Sequence, residues 1–341
     1  LDLVATAIAA DIVPMNGENR VLAYYGLEVI NQNPCNGIKA IIQQTKKTEL
    51  TITDVVFTIA PRINAAGRMK HGNYAVELLT EMDFDAAAEF AASIEIFNAD
   101  RKELDKKITD EAIIQIIDNE EEKGFSTVVY QEDWHKGVIG IVASRLIEKY
   151  YRPTLVFTKS GDMLAASARS VKGFDVYNAL QECEEFIEQF GGHKYAAGLT
   201  LRPENYTNFK DKFEEVVERT IDTKLLTPEI SVDAAIDFSE ITPKFFRIIQ
   251  QMAPFGPLNM KPVFSSISVR DNGYGKQVGA NKAHLKLNLF QGDNKKTFNA
   301  IGFNLGTKME FVKNDFDVAY ALDENEWNGH KNLQLVLKDI K

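Results

Sequence analysis

From Phe84 to about Glu122 the chain runs without a proline or a glycine, and Phe90, Ile94, Phe97, Leu104, Ile108, Ala112 and Ile116 recur at mostly three- and four-residue steps. That spacing predicts one continuous helix, and about forty residues at 1.5 Å each would reach ~60 Å. A rod of that length suits a strut between packed bodies better than a helix inside one core. The total of 341 residues agrees, being the length of two or three domains.

Composition narrows the class. Hydrophobic residues make up 45% and charged residues 26%, which excludes a disordered, collagenous or coiled-coil protein. No apolar run approaches the ~18 residues needed to span a bilayer, so no membrane partner is expected. Cys35 and Cys183 lie far apart with no CxxC partner. They exclude a disulfide scaffold and a cysteine-rich zinc site, fit a reducing cytosol, and set a cytoplasmic expectation. The net charge of −10 argues against coating nucleic acid by bulk electrostatics, yet leaves room for a local basic groove. The chain opens on Leu1-Asp2-Leu3-Val4, directly in a helical pattern, which suggests a piece of a longer protein.

Before the long helix, helical stretches alternate with turn signals at Asn33-Pro34 and Asn36-Gly37. After it, strands (Val128 to Tyr130, Pro153 to Phe157, Leu164 to Ala168, Ala196 to Leu201) alternate with helices (Val138 to Tyr151, Val176 to Phe190, Asn208 to Ile221). This predicts an α/β domain with a mixed sheet. Beyond Pro228 five strands are expected, Val263 to Arg270, Ala283 to Phe290, Thr297 to Phe303, Asp317 to Leu322 and Asn332 to Lys338. Several alternate cleanly, as in His284-Leu285-Lys286-Leu287-Asn288-Leu289. Five short strands with polar turns predict a small closed β-barrel of the OB-fold type.

Several stretches carry anion chemistry. Asp11 ends an apolar run before Pro14, where a turn acid and a metal ligand are both open readings. Next, after a strand-like run from Asp54 to Ile59, small residues separate Arg62, Asn64 and Arg68. That arrangement suits bidentate phosphate contacts, and equally a loop whose arginines pair with neighbouring helices. Gly137 and Gly140 join a strand to a helix whose free N–H groups would cradle phosphate, with His135 and Lys136 nearby. Ser167 and Arg169 are spaced to share one strand face, followed by Ser170 and Lys172. Gly191, Gly192 and His193 form a further glycine-rich turn beside Lys194. In the barrel, Arg270, Lys276, Lys282, Lys286, Lys295 and Lys296 interleave with Tyr274, Phe290 and Phe298, the pattern with which OB folds track single strands. Exposed lysines that protect strand edges would look the same.

Together these motifs resemble the RecJ family of bacterial single-strand-specific exonucleases, within the DHH phosphoesterase superfamily. The resemblance runs through essentially the whole chain. It is carried by Leu1-Asp-Leu-Val with Ala10-Asp11-Ile-Val-Pro, Pro61-Arg-Ile-Asn-Ala-Ala-Gly-Arg68, Gly137-Val-Ile-Gly-Ile-Val-Ala-Ser-Arg145, Gly191-Gly-His with Ala196-Ala-Gly198, and Ala253-Pro-Phe-Gly256. Each is weak alone, and five in order are specific.

The resemblance implies the C-terminal part of a DHH catalytic domain over 1–83, a connecting helix over 84–122, a DHH-associated α/β domain over 123–225 and an OB domain over 226–341. It implies 5′→3′ hydrolysis of single-stranded DNA in repair and recombination, through a pair of manganese or magnesium ions. Asp11 matches the family's last metal-binding aspartate. Arg62 or Arg68, and Ser167 with Arg169, match phosphate contacts, and the turns at Gly137 and Gly191-Gly192-His193 match the substrate-facing edge. The family's first three metal motifs are absent and should precede Leu1, so this chain alone is expected to be inactive. A helicase and a single-strand binding protein are conceivable partners. Two alternatives stand beside this reading: a non-catalytic single-strand binding module, and a DHH phosphoesterase of short oligonucleotides, against which the OB-like tail argues.

Overall fold

A computed structural model describes residues 1–45, 47–293, 296–327 and 329–341. They pack as two compact units, one of residues 1–32, 48–56 and 229–341, the other of 33–47 and 57–228. In chain order the helices are α1 (Asp2–Ala10), α2 (Gly17–Gln32), α3 (Asn36–Gln43), the short α4 (Ile52–Asp54), α5 (Ala60–Met69), α6 (Asn73–Thr80), α7 (Phe84–Asp118), α8 (Ile139–Tyr150), α9 (Val176–Gln181), α10 (Tyr206–Thr220) and α11 (Pro243–Gln250).

In the second unit, α7 is the expected long helix, 35 residues capped by the Asp83 side chain, which accepts from the Ala86 N–H at 2.9 Å. It stops at Asp118, short of Glu122, because Glu120 takes left-handed backbone (φ 57°). Its N-terminal half packs on α3, α5 and α6, and its C-terminal half on α8 and the start of the sheet. The buried stripe runs Ala87, Ala91, Ile94, then Asn98, Arg101 and Asp105, then Ile108, Ala112 and Ile116. Three polar residues thus occupy core positions midway along the helix, which is packed at both ends instead of standing free as a strut.

The sheet of this unit holds β1 (Thr127–Tyr130), β2 (Thr154–Ser160), β3 (Met163–Arg169), β4 (Ile187–His193) and β5 (Ala196–Leu201) in the order β1-β2-β3-β5-β4. Only β1–β2 is parallel; β3, β5 and β4 continue antiparallel. One face buries Leu155, Phe157, Leu164, Ala168 and Leu199 against Phe209 and Phe213 of α10. On the other, Val129 and Val156 pack with Val142 and Leu146 of α8 and Ile108 and Ala112 of α7.

Two expectations in this part of the chain fail. The helix predicted over Val176 to Phe190 ends at Gln181, and Ile187–His193 is a strand. The open edge of β5 needs backbone partners, and this segment supplies them from Ile187↔Leu201 to His193↔Ala196, a tertiary demand that local periodicity does not register. The run from Asp54 to Ile59 is helical, not extended, and Ala60–Met69 is a helix with Pro61 in its first turn. A capping box starts the helical run at Thr51: the Asp54 carboxylate accepts from the Thr51 N–H at 2.8 Å, and Thr51 Oγ1 accepts from the Asp54 N–H at 3.3 Å.

In the first unit lie β6 (Ala234–Ala235), β7 (Val263–Asp271), β8 (Lys276–Val278), β9 (His284–Gln291), β10 (Phe298–Gly302), β11 (Phe316–Trp327) and β12 (His330–Ile340). The order β7-β11-β12-β10-β9 closes on itself through Val269↔Gln291 and its neighbours, so the five expected strands form the expected closed barrel. The alternating leucines of β9 point inward, Leu285, Leu287 and Leu289 all buried with Phe264, Tyr320 and Leu335, under a cap formed by Phe246 and Ile249 of α11. The buried Tyr320 hydroxyl is paired with Ser266 Oγ at 2.8 Å.

The stretch Ala253-Pro-Phe-Gly256 has a structural role in this unit. The Met15 N–H donates to Pro257 O at 2.6 Å, and a Cβ on Gly256 would come within 3.1 Å of the buried Met15 side chain. Arg20 Nη2 reaches Met252 O at 3.0 Å and Ala253 O at 3.3 Å.

Candidate nucleic-acid interface

Several arginines of the second unit gather around the start of α8. A glycine turn brings β1 to that helix, and Arg68, at the end of α5, donates from Nη1 to Gly137 O at 3.2 Å. The approach is close: a Cβ on Gly137 would lie 2.3 Å from Arg68 O. Gly140 faces β3, where an added Cβ would come within 2.9 Å of Ser167 Oγ and 3.1 Å of Arg169 Nη2. Ser167 and Arg169 do share a strand face, with Arg169 Nη1 donating to Ser167 Oγ at 3.0 Å.

From below, α7 adds the polar part of its stripe. Arg101 Nη2 donates to Asn98 Oδ1 at 2.8 Å, and Asp105 Oδ2 lies 3.8 Å from Arg101 Nη1 and 3.3 Å from Arg145 Nη2 on α8. Burial lowers the pKa of Arg68, opposed by the Asp105 charge, although part of the side chain remains open to solvent. Arg101 is lowered by burial first, Asp105 raising it and the charges of Arg68 and Arg145 lowering it further. Arg169 is lowered by burial and by Arg68. The guanidiniums of Arg68, Arg101, Arg145 and Arg169 therefore form one interacting group with a single buried carboxylate. An anion with several acceptor oxygens is the ligand such a group suits.

Sheet register extends the surface. Arg169, Ala196 and His193 stand opposite one another across β3, β5 and β4, and so do Ser167, Gly198 and Gly191. Gly198, Gly191, Gly192 and His193 are exposed, and the row lacks bulky side chains between Ser167 and the sheet edge. A nucleic-acid backbone can approach such a floor closely.

The remaining expected residues are placed as follows. Arg62 is taken up locally, with Nε to Glu95 Oε2 at 2.5 Å and Nη1 to Thr58 O at 2.7 Å, while Asn64 is exposed on α5. Ser170 holds its own turn, Oγ donating to Phe174 O at 3.1 Å. Lys136 donates to Ser160 Oγ at 3.1 Å, and His135 Nδ1 accepts from the Gly137 N–H at 3.1 Å. Arg101, Asp105 and Arg145 were not anticipated. The signal was there: Asn98, Arg101 and Asp105 interrupt the apolar stripe of α7 in register with it.

In the first unit, Asp11 caps the C-terminus of α1 and is exposed. Among the described residues no three His, Cys, Asp or Glu side chains gather where a metal ion could be held. A lone carboxylate does not satisfy a divalent cation, so the residues of this chain do not by themselves fit a two-metal centre.

On the barrel, Lys276 and Lys286 are directly paired across β8 and β9, both exposed, and Lys282 is exposed just before β9. Of the interleaved aromatics, Phe298 is buried in the core and Phe290 half-buried, because inward and outward positions alternate along each strand. Tyr274 is 77% exposed, and the outward aromatic that the sequence reading missed is Phe303, 58% exposed and edge-on to His284 at 5.5 Å. Arg270 is bound by Asp315, and Lys296 donates to Ile241 O at 2.5 Å; Lys295 lies outside the described residues.

Known proteins share the fold of this chain. A model of the DHHA1 domain matches residues 121–219 and one of the RecJ OB domain matches residues 232–339. The single-stranded-DNA-specific exonuclease RecJ of Bacillus subtilis is 34% identical over 99% of this chain and 43% of its own length. The chain belongs to the RecJ family. The RecJ of Haemophilus influenzae is 33% identical over all of this chain and 61% of its own length. The crystal structure of Thermus thermophilus RecJ in complex with Mn2+ superposes with a TM-score of 0.87 at 27% identity, covering 100% of this chain and 49% of that one. A second Thermus RecJ structure, in complex with Mg2+, gives 0.86 at 26% identity, with 100% and 52% covered. The chain thus spans about half the length of the curated RecJ relatives it matches. Among the described residues no helix is long and apolar enough to cross a membrane.

Proposed function

We propose that this chain is the substrate-gripping part of a RecJ exonuclease that hydrolyses single-stranded DNA from the 5′ end. The observation that carries the reading is the group of arginines around the start of α8, joined by Ser167 and by the glycine-floored rows of the sheet. In this reading Arg68, Arg169 and Ser167 hold the terminal phosphate, Gly191, Gly192 and His193 lie along the next nucleotides, and Arg62 braces α5 against α7. On the barrel, Lys276, Lys282 and Lys286 hold backbone phosphates while Tyr274 and Phe303 stack bases. The division into a catalytic-domain tail over 1–83, a helix over 84–122, a DHH-associated domain over 123–225 and an OB domain over 226–341 belongs to the same proposal. So do a cytoplasmic location, a role in repair and recombination, and partnership with a helicase or a single-strand binding protein.

The metal requirement is proposed for the whole protein, with manganese or magnesium activating water and neutralising the leaving oxygen. Asp11 is the one ligand assigned to this chain, and no catalytic step follows from its residues alone. That favours a second reading of the chain taken by itself, as a binding module without nuclease activity. Digestion of 5′-phosphorylated single-stranded DNA with manganese, on this chain and on one extended upstream, tests both. Cleavage only by the longer chain, with EDTA-resistant and salt-sensitive binding by the shorter one, is the expected result. Cleavage by this chain alone would overturn the assignment of Asp11, and absence of single-strand binding would overturn the interface.

A further inference from the structure

We propose that Asp105 is the resident counter-anion of the arginine cluster: it fixes Arg101 and Arg145 in place, and a phosphate group bound beside them completes the charge balance. The inference rests on the reading of this cluster as a phosphate site. Asp105 is 3% exposed, and one of its oxygens does the holding. Oδ2 takes Arg145 through Nε at 3.4 Å and Nη2 at 3.3 Å, with Arg101 Nη1 at 3.8 Å. Oδ1 is buried and accepts no hydrogen bond among the described residues.

The charges do not balance within the protein. Arg68, Arg101 and Arg145 all feel Asp105 or one another, and Arg169 feels Arg68. Among the described residues the other carboxylate paired with the cluster is Glu148, 3.9 Å from Arg145 on the solvent side, its side chain 73% exposed, where screening makes it a weak partner. Partly desolvated guanidiniums repel, and one buried carboxylate offsets only part of that repulsion. A dianionic phosphate would supply the missing negative charge. Asp105 then acts as a positioning residue, keeping the cluster assembled before the ligand arrives.

Asp105→Asn isolates the charge. The amide oxygen can take the place of Oδ2, and the amide nitrogen can take that of the unpartnered Oδ1, so shape and the accepting atom are kept. Thermal unfolding of the full chain is measured in sodium phosphate and in sodium chloride of equal ionic strength. Phosphate is expected to raise the wild-type Tm relative to chloride. In chloride the variant is expected to melt lower by about 10 °C, the scale for breaking a buried ion pair in a unit of this size. In phosphate most of that loss is expected to return, so the phosphate-induced shift is larger in the variant than in the wild type.

A residue that only fills space or bonds locally would cost the same in both salts, and equal losses overturn the proposal while leaving the phosphate site intact. A wild type indifferent to phosphate overturns the site and the proposal together. If Asp105→Asn does not fold, Arg145→Gln, at a half-exposed side chain, removes one excess positive charge instead. Its phosphate-induced shift is expected to shrink, and an unchanged shift overturns the proposal.

Discussion

Arg169 Nη1 donates to Ser167 Oγ at 3.0 Å, and both side chains, through Ser167 Oγ and Arg169 Nη2, lie against the one backbone position of α8, Gly140, that has no side chain to displace them. The pair is therefore aligned by a packing contact as well as by strand alternation. Gly140→Ala tests this directly. The new Cβ would meet side-chain ends that can move, and alanine suits a helix better than glycine by ~1 kcal/mol, so the Tm is expected to hold or rise. Affinity for 5′-phosphorylated single-stranded DNA is expected to fall by about tenfold, a lost charge-assisted bond. Undiminished binding would mean that the pair does not face the ligand.

Arg169→Ala should discriminate between strand ends. Binding to a 5′-phosphorylated oligonucleotide is expected to weaken about 10- to 100-fold, from the loss of a charged hydrogen bond. Binding to the 5′-hydroxyl strand should weaken less. Fluorescence anisotropy with both oligonucleotides measures the difference, and equal losses would remove the terminal-phosphate pocket.

Gly137→Ala is expected to act on folding. Here the added Cβ would meet a backbone carbonyl, Arg68 O at 2.3 Å, which cannot rotate away. A cost of about 1–3 kcal/mol is expected from such overpacking, read as a lowered midpoint in urea. An unchanged midpoint would show that the turn relaxes freely.

The barrel aromatics separate by the face they occupy. Replacing exposed Tyr274 or Phe303 with alanine is expected to leave the Tm unchanged and to weaken binding to long single strands by ~1–3 kcal/mol per stacked base. Phe298→Ala, in the barrel core, is expected to destabilise by ~3–5 kcal/mol. Single-strand titrations and melting curves on the three variants give the comparison.

Burial pushes the Cys183 thiol up to about 12 from an ordinary 9.0. A folded-state pKa above the unfolded one contributes stability below pH 9.0 that is lost as the pH rises toward 12. The Tm is expected to fall between pH 8.5 and 10.5, less steeply in Cys183→Ala than in the wild type. At neutral pH, Cys35, which is half-buried, should react with a thiol reagent long before Cys183.

Most of the architecture is legible in the chain because its signals are local. The uninterrupted period of α7, the inward leucines of β9 and the glycine turns before α8 each follow from a few neighbouring residues. Spacing alone also sets Ser167 and Arg169 on one strand face. Tertiary structure decided the rest, where a residue's role depends on a partner distant in sequence. Ile187 to Phe190 carry a helical pattern, yet β5 needed an edge partner and recruited them. Arg62 and Arg68 sit in the same motif and look alike in sequence. Glu95 takes up the first, while the second reaches Gly137 and feels Asp105, a division only the packing of α5 on α7 could make. Phe298 and Phe303 differ likewise: barrel closure buries one and leaves the other facing solvent. Local periodicity determines which elements form, whereas desolvation and long-range pairing determine which side chains remain available to a ligand.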